Sequence, residues 1–258
     1  MKRAAVKVAY LGENFSGSQI QPGYRTAGGD ILSDLKLITK LNEDEIDLKL
    51  ASRTDKGVNA LGNVAVFNSN IEDPDILLRA LNAVSKDIFY RGVAFVDEEF
   101  NPRFADVRRY RYILRSHGLN ISAVKECAEL FTGEHDFSRF CRHDDRSSAT
   151  SITSIEVRTE DDLIILDFTA RYFLWNMVRR IVAAIVSVGM GDAPLSDVKD
   201  ALEGKDFSFG IARADALTLM DVHYERVEFI TPPANVLDRR IEEEMFKSKL
   251  RNSFFASL

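Results

Sequence analysis

Between residues 3 and 10, Ala5, Val6, Val8 and Tyr10 recur with polar residues between them, which predicts a strand, and the stretch from Gly12 to Gly29 reads as loop. Asp30 then offers a helix cap. Ile31, Leu35, Ile38 and Leu41 follow at three- and four-residue steps, so one apolar stripe of the predicted helix faces a core. A short strand over 48–51 leads into the polar segment SRTDKGVNALGN, and VAVFNS from Val64 predicts the strand beyond it. Pro74 suits a first helical turn, and Ile76, Leu77, Ala80, Leu81 and Val84 complete a second amphipathic helix. The same reading predicts strands at 88–98 and 109–115, a helix at 121–131 and strands at 152–158 and 163–170. Helices at 173–190 and 196–203, a strand at 217–229 and a charged surface helix from Asp238 complete it.

Strands fall two or more together between helices, so the pattern predicts an α+β fold with mainly antiparallel sheets flanked by helices. At roughly 150 residues per domain, 258 residues suit one large or two smaller units. The change near 103–108 is the best boundary. It separates an N-terminal subdomain, 1–105, from a C-terminal one, 106–258.

Composition narrows the function. Apolar residues at 45% and charged residues at 29% are those of a soluble globular chain. A net charge of −6 argues against a protein that coats nucleic acid non-specifically, so any RNA site must be a local cluster of cations. Cys127 and Cys141 are too few for a disulfide framework and suit a reducing compartment. Lys7 and Glu13 interrupt the N-terminus before a signal-peptide core can form, and no apolar run reaches membrane-spanning length. A cytoplasmic protein without membrane attachment is expected.

The chemistry concentrates in Ala51-Ser52-Arg53-Thr54-Asp55-Lys56-Gly57-Val58-Asn59-Ala60, where a carboxylate lies between two cations. By itself this reads first as a turn in which Asp55 or Thr54 bonds the local backbone. The wider chain adds four more boxes. They are Tyr10 to Gln21, Phe104 with Arg108-Arg109-Tyr110-Arg111-Tyr112, Phe173-Leu174-Trp175-Asn176-Met177-Val178-Arg179-Arg180, and Ala214 to Leu219. Taken in chain order, the five resemble the signatures of TruA-type pseudouridine synthases: Y-D-G-x-x-F-x-G-W-Q-x-Q, G/S-R-T-D-x-G-V-H-A, F-x-A…R-x-Y-x-Y, F-L-x-x-M-V-R and A-P-x-x-G-L-x-L. Leu11, Ser18, Asn59 and Ala216 stand where those patterns have Asp, Trp, His and Gly. None of these changes removes the carboxylate, the aromatic or the arginine.

The resemblance implies the pseudouridine synthase fold, with a cleft between two α/β subdomains. It also implies a cofactor-free isomerase that acts on uridine in the anticodon stem-loop of tRNA, at positions 38 to 40, and works as a homodimer. Asp55 would be the catalytic carboxylate, either nucleophile or general base. Arg179 would direct it, and Tyr110 would stack on the uracil and relay a proton. Arg53 would assist extrusion of the base and Leu217 would line its pocket. On a strand, Arg108, Tyr110 and Tyr112 share one face while Arg109 and Arg111 share the other, so one face can meet a base and the other phosphate or a carboxylate. With Arg103, Arg115, Arg171 and Arg180 they supply the local positive charge that RNA requires.

Other readings have weaker support. A uridine elsewhere in tRNA or in another structured RNA is the alternative substrate, and a non-catalytic tRNA-binding protein would have no need to keep Asp55, Tyr110 and Arg179 together. Cys127, His135, Cys141, His143, Asp144 and Asp145 crowd together but lack the paired spacing of a zinc site, so no metal is expected. Neither a dinucleotide fingerprint nor a P-loop occurs, so no nucleotide cofactor is expected either.

Overall fold

A computed structural model describes residues 1–142, 147–233 and 235–258. Among the described residues ten strands and seven α-helices follow in the order β1 Lys2–Tyr10, α1 Ala27–Thr39, α2 Glu43–Ile46, β2 Lys49–Leu50, β3 Asn59–Ser69, α3 Pro74–Val84, β4 Phe89–Val96 and β5 Val107–Arg115. Then come α4 Ile121–Glu129, β6 Gly133–Asp136, β7 Ala149–Ile152, β8 Ser154–Glu160, β9 Leu163–Ala170, α5 Met177–Met190, α6 Leu195–Leu202, β10 Leu217–His223 and α7 Asn235–Ala256. The large sheet runs β4-β1-β3-β10-β5-β9-β8, with β2 paired to β3, while β6 and β7 form a separate pair. All pairings are antiparallel except β3 with β10. The α+β class with a mainly antiparallel sheet flanked by helices is therefore the one the pattern predicts.

β10 is the keystone. It comes last in sequence among the strands, yet it enters between β3 and β5, with Thr218 opposite Asn59 in parallel and Leu219 opposite Tyr110 in antiparallel register. One sheet thereby spans both halves of the chain. The polar segment that precedes β3, the start of β10 and the middle of β5 are brought side by side.

Several element boundaries differ from the sequence pattern, each for a local reason. α1 begins at Ala27, because Thr26 in extended backbone takes the cap and accepts a bond from Gly29 N at 3.1 Å. Asp30 instead lies in the first turn, where its charge suits the helix N-terminus and it pairs with Arg25 at 2.6 Å. β3 starts five residues before Val64, at Asn59, because β1 and β10 both offer pairing partners there. The strand predicted over 152–158 is divided at Thr153 into β7 and β8. α5 starts at Met177, since Asn176 adopts the left-handed conformation at φ 61° and ends the approach loop. β10 ends at His223, short of residue 229, and the pair β6–β7 has no counterpart in the sequence reading.

The core is continuous. Ile31, Leu35, Leu77, Leu78 and Leu81 of α1 and α3 are fully buried, as are Ile181, Val182 and Ile185 of α5, whereas Ile76 is exposed. α7 follows the predicted surface helix and buries none of its side chains. Arg240 fastens it, donating to the carbonyls of Lys86 and Ile88 at 2.8 and 3.1 Å. No helix among the described residues is long and apolar enough to cross a membrane.

β5 obeys the predicted division of faces. Arg108, Tyr110 and Tyr112 are buried, and Arg111 on the other face makes a two-point bond to Asp167 of β9 at 2.7 and 3.1 Å. Arg158 of β8 binds the same carboxylate, so three strands are laced together behind Tyr110. Partial burial acts to raise the Asp167 carboxyl pKa, but the bonds from Arg111 and Arg158 outweigh it and the group titrates below its ordinary value. A depressed folded pKa gives stability that is complete above the unfolded value of about 3.9 and is lost as pH falls through the folded one. Asp167→Asn is therefore expected to melt below the parent at about pH 7, with the gap narrowing towards about pH 2 as the parent's carboxylate is protonated. Melting curves at the two pH values check this, and an equal deficit at both would assign the effect to packing.

Candidate active site

The segment from Ala51 to Val58 is strapped down at Ala51, Ser52, Thr54, Asp55 and Val58. Ser52 N and O bond the Asn63 side chain at 3.2 and 2.9 Å. Thr54 N donates to Ser18 Oγ at 2.8 Å, Thr54 O accepts from Ser18 N at 3.0 Å, and Thr54 Oγ1 meets the buried Tyr10 hydroxyl at 2.9 Å. Val58 N closes a turn onto Asp55 O at 3.1 Å, made possible by Gly57 at φ +85°. The loop containing Gly12 lies directly on this turn, where a Cβ on Gly12 would fall 2.4 Å from Gly57 and Val58 main-chain atoms. Two of the departures from the family pattern serve the same scaffold. Ser18 makes the Thr54 bonds, and Asn59 joins Gly12 N and Asp215 O at 2.8 and 2.9 Å.

Asp55, which this scaffold presents, is met from across the cleft. Arg179, in the first turn of α5, donates from Nη1 to Oδ2 at 3.2 Å, and Trp175 donates its indole Nε1–H to Oδ1 at 3.0 Å. Each carboxylate oxygen thus has its own donor, in an ion pair whose side chains are 16% and 31% exposed. Arg179 is itself aimed by its Nε bond to Ala212 O at 2.8 Å. The left-handed Asn176 lies between the two donors in sequence, and such backbone persists only where its surroundings enforce it. Arg53 and Arg142 lie over the Trp175 ring, 5.6 and 4.0 Å from its centroid.

Tyr110 packs edge-on against Phe173, with centroids 5.1 Å apart, and is 8% exposed. Its burial raises the hydroxyl pKa above the ordinary value, so the group is neutral at physiological pH. Among the described residues the hydroxyl has no hydrogen-bond partner. Asp55, Tyr110, Arg179, Arg53, Leu217 and Arg108 all line one cavity of about 1090 Å³. This is at or above the size of common small-molecule sites, about 300–1,000 Å³, and leaves room for more than one nucleotide.

The basic residues divide into distinct groups. Arg108 is buried, its guanidinium bonded to Ser52 Oγ at 3.0 Å and to the carbonyls of Ala51, Arg103 and Arg171. Arg109 and Arg111 project from the opposite face of β5 and do not line the cavity. Arg53, Arg103 and Arg171 are exposed and line it. Trp175 is the Asp55 donor that the sequence pattern left unassigned, because it occupies a variable position of the F-L-x-x-M-V-R box. Its being the chain's sole tryptophan was the available signal. Burial raises the Cys127 thiol pKa to about 12, and Cys141 is also buried. His143, Asp144 and Asp145 lie outside the described residues, and among those described no group of three His, Cys, Asp or Glu side chains could hold a metal.

Comparison with known proteins adds the family. A family model described as tRNA pseudouridine synthase matches residues 127–225. The tRNA pseudouridine synthase A of Pyrococcus abyssi is 40% identical over 260 residues, covering 98% of this chain and 96% of the relative. That of Pyrococcus horikoshii is 39% identical over 263 residues, covering 98% and 97%. That of Archaeoglobus fulgidus is 36% identical over 234 residues, covering 89% and 86%. With near-complete coverage on both sides, and with a carboxylate, tyrosine and arginine gathered in one cleft, this chain belongs to the tRNA pseudouridine synthase A family.

Proposed function

We propose that this enzyme isomerises uridine to pseudouridine in the anticodon stem-loop of tRNA, at positions 38 to 40, with Asp55 as the catalytic carboxylate. The observation that carries the proposal is the Asp55 carboxylate, held by Trp175 and Arg179 at the wall of the cavity of about 1090 Å³ that Tyr110 also lines.

The reaction breaks the bond from uracil N1 to the ribose C1′ and makes one from C5 to C1′. A proton leaves C5 and N1 regains one, so the atoms balance without redox change or group donor. Asp55 acts at the sugar, as nucleophile on C1′ or as general base on a sugar proton. Its two donors fix its direction and leave it little freedom to reorganise. The uracil, once detached, is held between Leu217 and Tyr110, whose neutral hydroxyl relays the C5 proton. Arg53, exposed and two residues before Asp55, occupies the space from which the uridine is extruded, and contact with phosphate offsets part of the extrusion cost of a few kcal/mol. Arg109, on the outer face of β5, meets RNA backbone beyond the cleft, while Arg108 and Arg111 position β5. The proposal includes a cytoplasmic homodimer, for which the exposed Met245, Phe246, Leu250 and Phe254 of α7 offer apolar contact.

The direct test is to map pseudouridine in tRNA incubated with and without the protein. New pseudouridine confined to positions 38 to 40 is expected, and its appearance elsewhere would redirect the substrate assignment. Asp55→Asn is expected to abolish isomerisation while tRNA affinity stays near that of the parent, since phosphate contacts dominate binding. Substantial turnover by Asp55→Asn would remove Asp55 from the mechanism. Trp175→Phe keeps the ring under Arg53 and Arg142 but loses the N–H. Losing a hydrogen bond to a charged group costs about 1.5–3 kcal/mol, so the single-turnover rate should fall roughly 10- to 100-fold at unchanged affinity. A parent-like rate would reduce Trp175 to packing. Tyr110→Phe, in the same assay with saturating enzyme, is expected to lose roughly 100-fold, whereas a purely stacking role predicts no loss.

A further inference from the structure

Removing a uridine from a nucleic-acid stack leaves the neighbouring bases with uncovered faces, and a protein that extrudes a base gains by covering them. The rim of the cleft carries two side chains suited to that task. Phe104 is 75% exposed and Tyr172 is 43% exposed, and both line the same cavity as Asp55. Each directly follows an exposed arginine, Arg103 and Arg171, which line the cavity too. Among the described residues neither arginine has an acidic partner, so both are free to meet phosphate.

These pairs sit on loops that are fixed in place. The turn before Phe104 is closed by Phe104 N bonding Asn101 O at 3.1 Å and Arg103 N bonding Asn101 Oδ1 at 3.0 Å. The buried Tyr224 hydroxyl holds the Pro102 carbonyl at 2.5 Å. Arg108 does the rest. Its single buried guanidinium binds the carbonyl of Arg103 at 2.9 Å and that of Arg171 at 2.5 Å, together with Ser52 Oγ and Ala51 O of the segment that presents Asp55. The two arginine–aromatic pairs and the catalytic segment are therefore tied to one group. An exposed aromatic held on rigid backbone beside a free cation loses little entropy on stacking, which suits a base platform better than a solvated surface residue.

We infer that Phe104 and Tyr172 form a stacking subsite for the two nucleotides flanking the extruded uridine, with Arg103 and Arg171 binding the adjoining phosphates. The occupant is an unpaired stretch of RNA, because the rim combines aromatic faces with positive charge and is continuous with the catalytic cavity. The inference rests on the proposed uridine-isomerising activity.

The test uses the full-length enzyme and a stem-loop RNA containing the target uridine, intact or with the nucleotide on one or the other side made abasic. Binding affinity and pseudouridine formation are measured in the same samples. Phe104→Ala and Tyr172→Ala should each weaken binding of intact RNA by about tenfold, the scale of losing one stacked base. The parent should bind each abasic RNA about tenfold more weakly, and each alanine variant should lose nothing further on one of the two. Phe104→Tyr and Tyr172→Phe should restore parent affinity. Equal losses on intact and abasic RNA, or a parent protein indifferent to both abasic sites, would overturn the subsite. Failure of the parent to form pseudouridine on intact RNA would instead sink the catalytic reading, whatever the affinities. Both aromatics are solvent-exposed, and melting curves of the alanine variants verify that the fold survives.

Discussion

The structure depends on keeping one carboxylate in a fixed place although the groups that hold it come from distant parts of the chain. Asp55 lies on a segment ahead of β3, and its two donors arrive 120 and 124 residues later, from the entry to α5. Loop-to-loop contact across such a distance is useless for chemistry unless the supporting sheet is rigid. The late strand β10 provides this by pairing with β3 on one side and β5 on the other. Buried Arg108 adds a second tie from β5 to the segment that presents Asp55. A buried guanidinium is costly to desolvate, and here main-chain carbonyls and a hydroxyl offset the cost.

Much of this was legible in the sequence, and the reasons differ by element. α3 was readable because Pro74 opens it and the apolar period carries through Leu77, Leu81 and Val84, although Ile76 on that period faces solvent. The two faces of β5 followed from alternation alone. The start of β3 was not readable, since Asn59 to Asn63 carry no apolar run and are strand only because two neighbours pair with them. The α1 cap was misplaced because Thr26 and Asp30 are both competent caps, and the choice rests on tertiary bonds from Ala27 and Gly28 to the Gly17 and Ser18 carbonyls.

In the site, the box pattern pointed to Asp55, Tyr110 and Arg179, residues that it constrains by type and that line one cavity. It was silent on Trp175, whose role is set by a contact across the cleft and not by its neighbours in sequence. It also grouped Arg108 with the RNA-facing cations, because periodicity assigns a face and not a partner. On the inward face of β5 a guanidinium finds carbonyls, while Arg111 on the outward face finds Asp167. Ser18 and Asn59, which looked like losses from the family pattern, bond the very segment that carries the carboxylate.

The same sorting resolves how a chain with net charge −6 can attract RNA. Many of its cations are spent on acidic neighbours: Arg111 and Arg158 on Asp167, Arg139 on Asp206, Arg213 on Asp215 and Arg25 on Asp30 and Asp87. Among the described residues Arg53, Arg103 and Arg171 have no such partner, and all three line the cavity. Screening limits the reach of surface charge to about 10 Å at ordinary ionic strength, so a phosphate at the cleft responds to these nearby arginines far more than to distant acids. Net charge therefore governs non-specific attraction, while the unpaired arginines that line the Asp55 cavity supply the local positive charge on which the proposed RNA site rests.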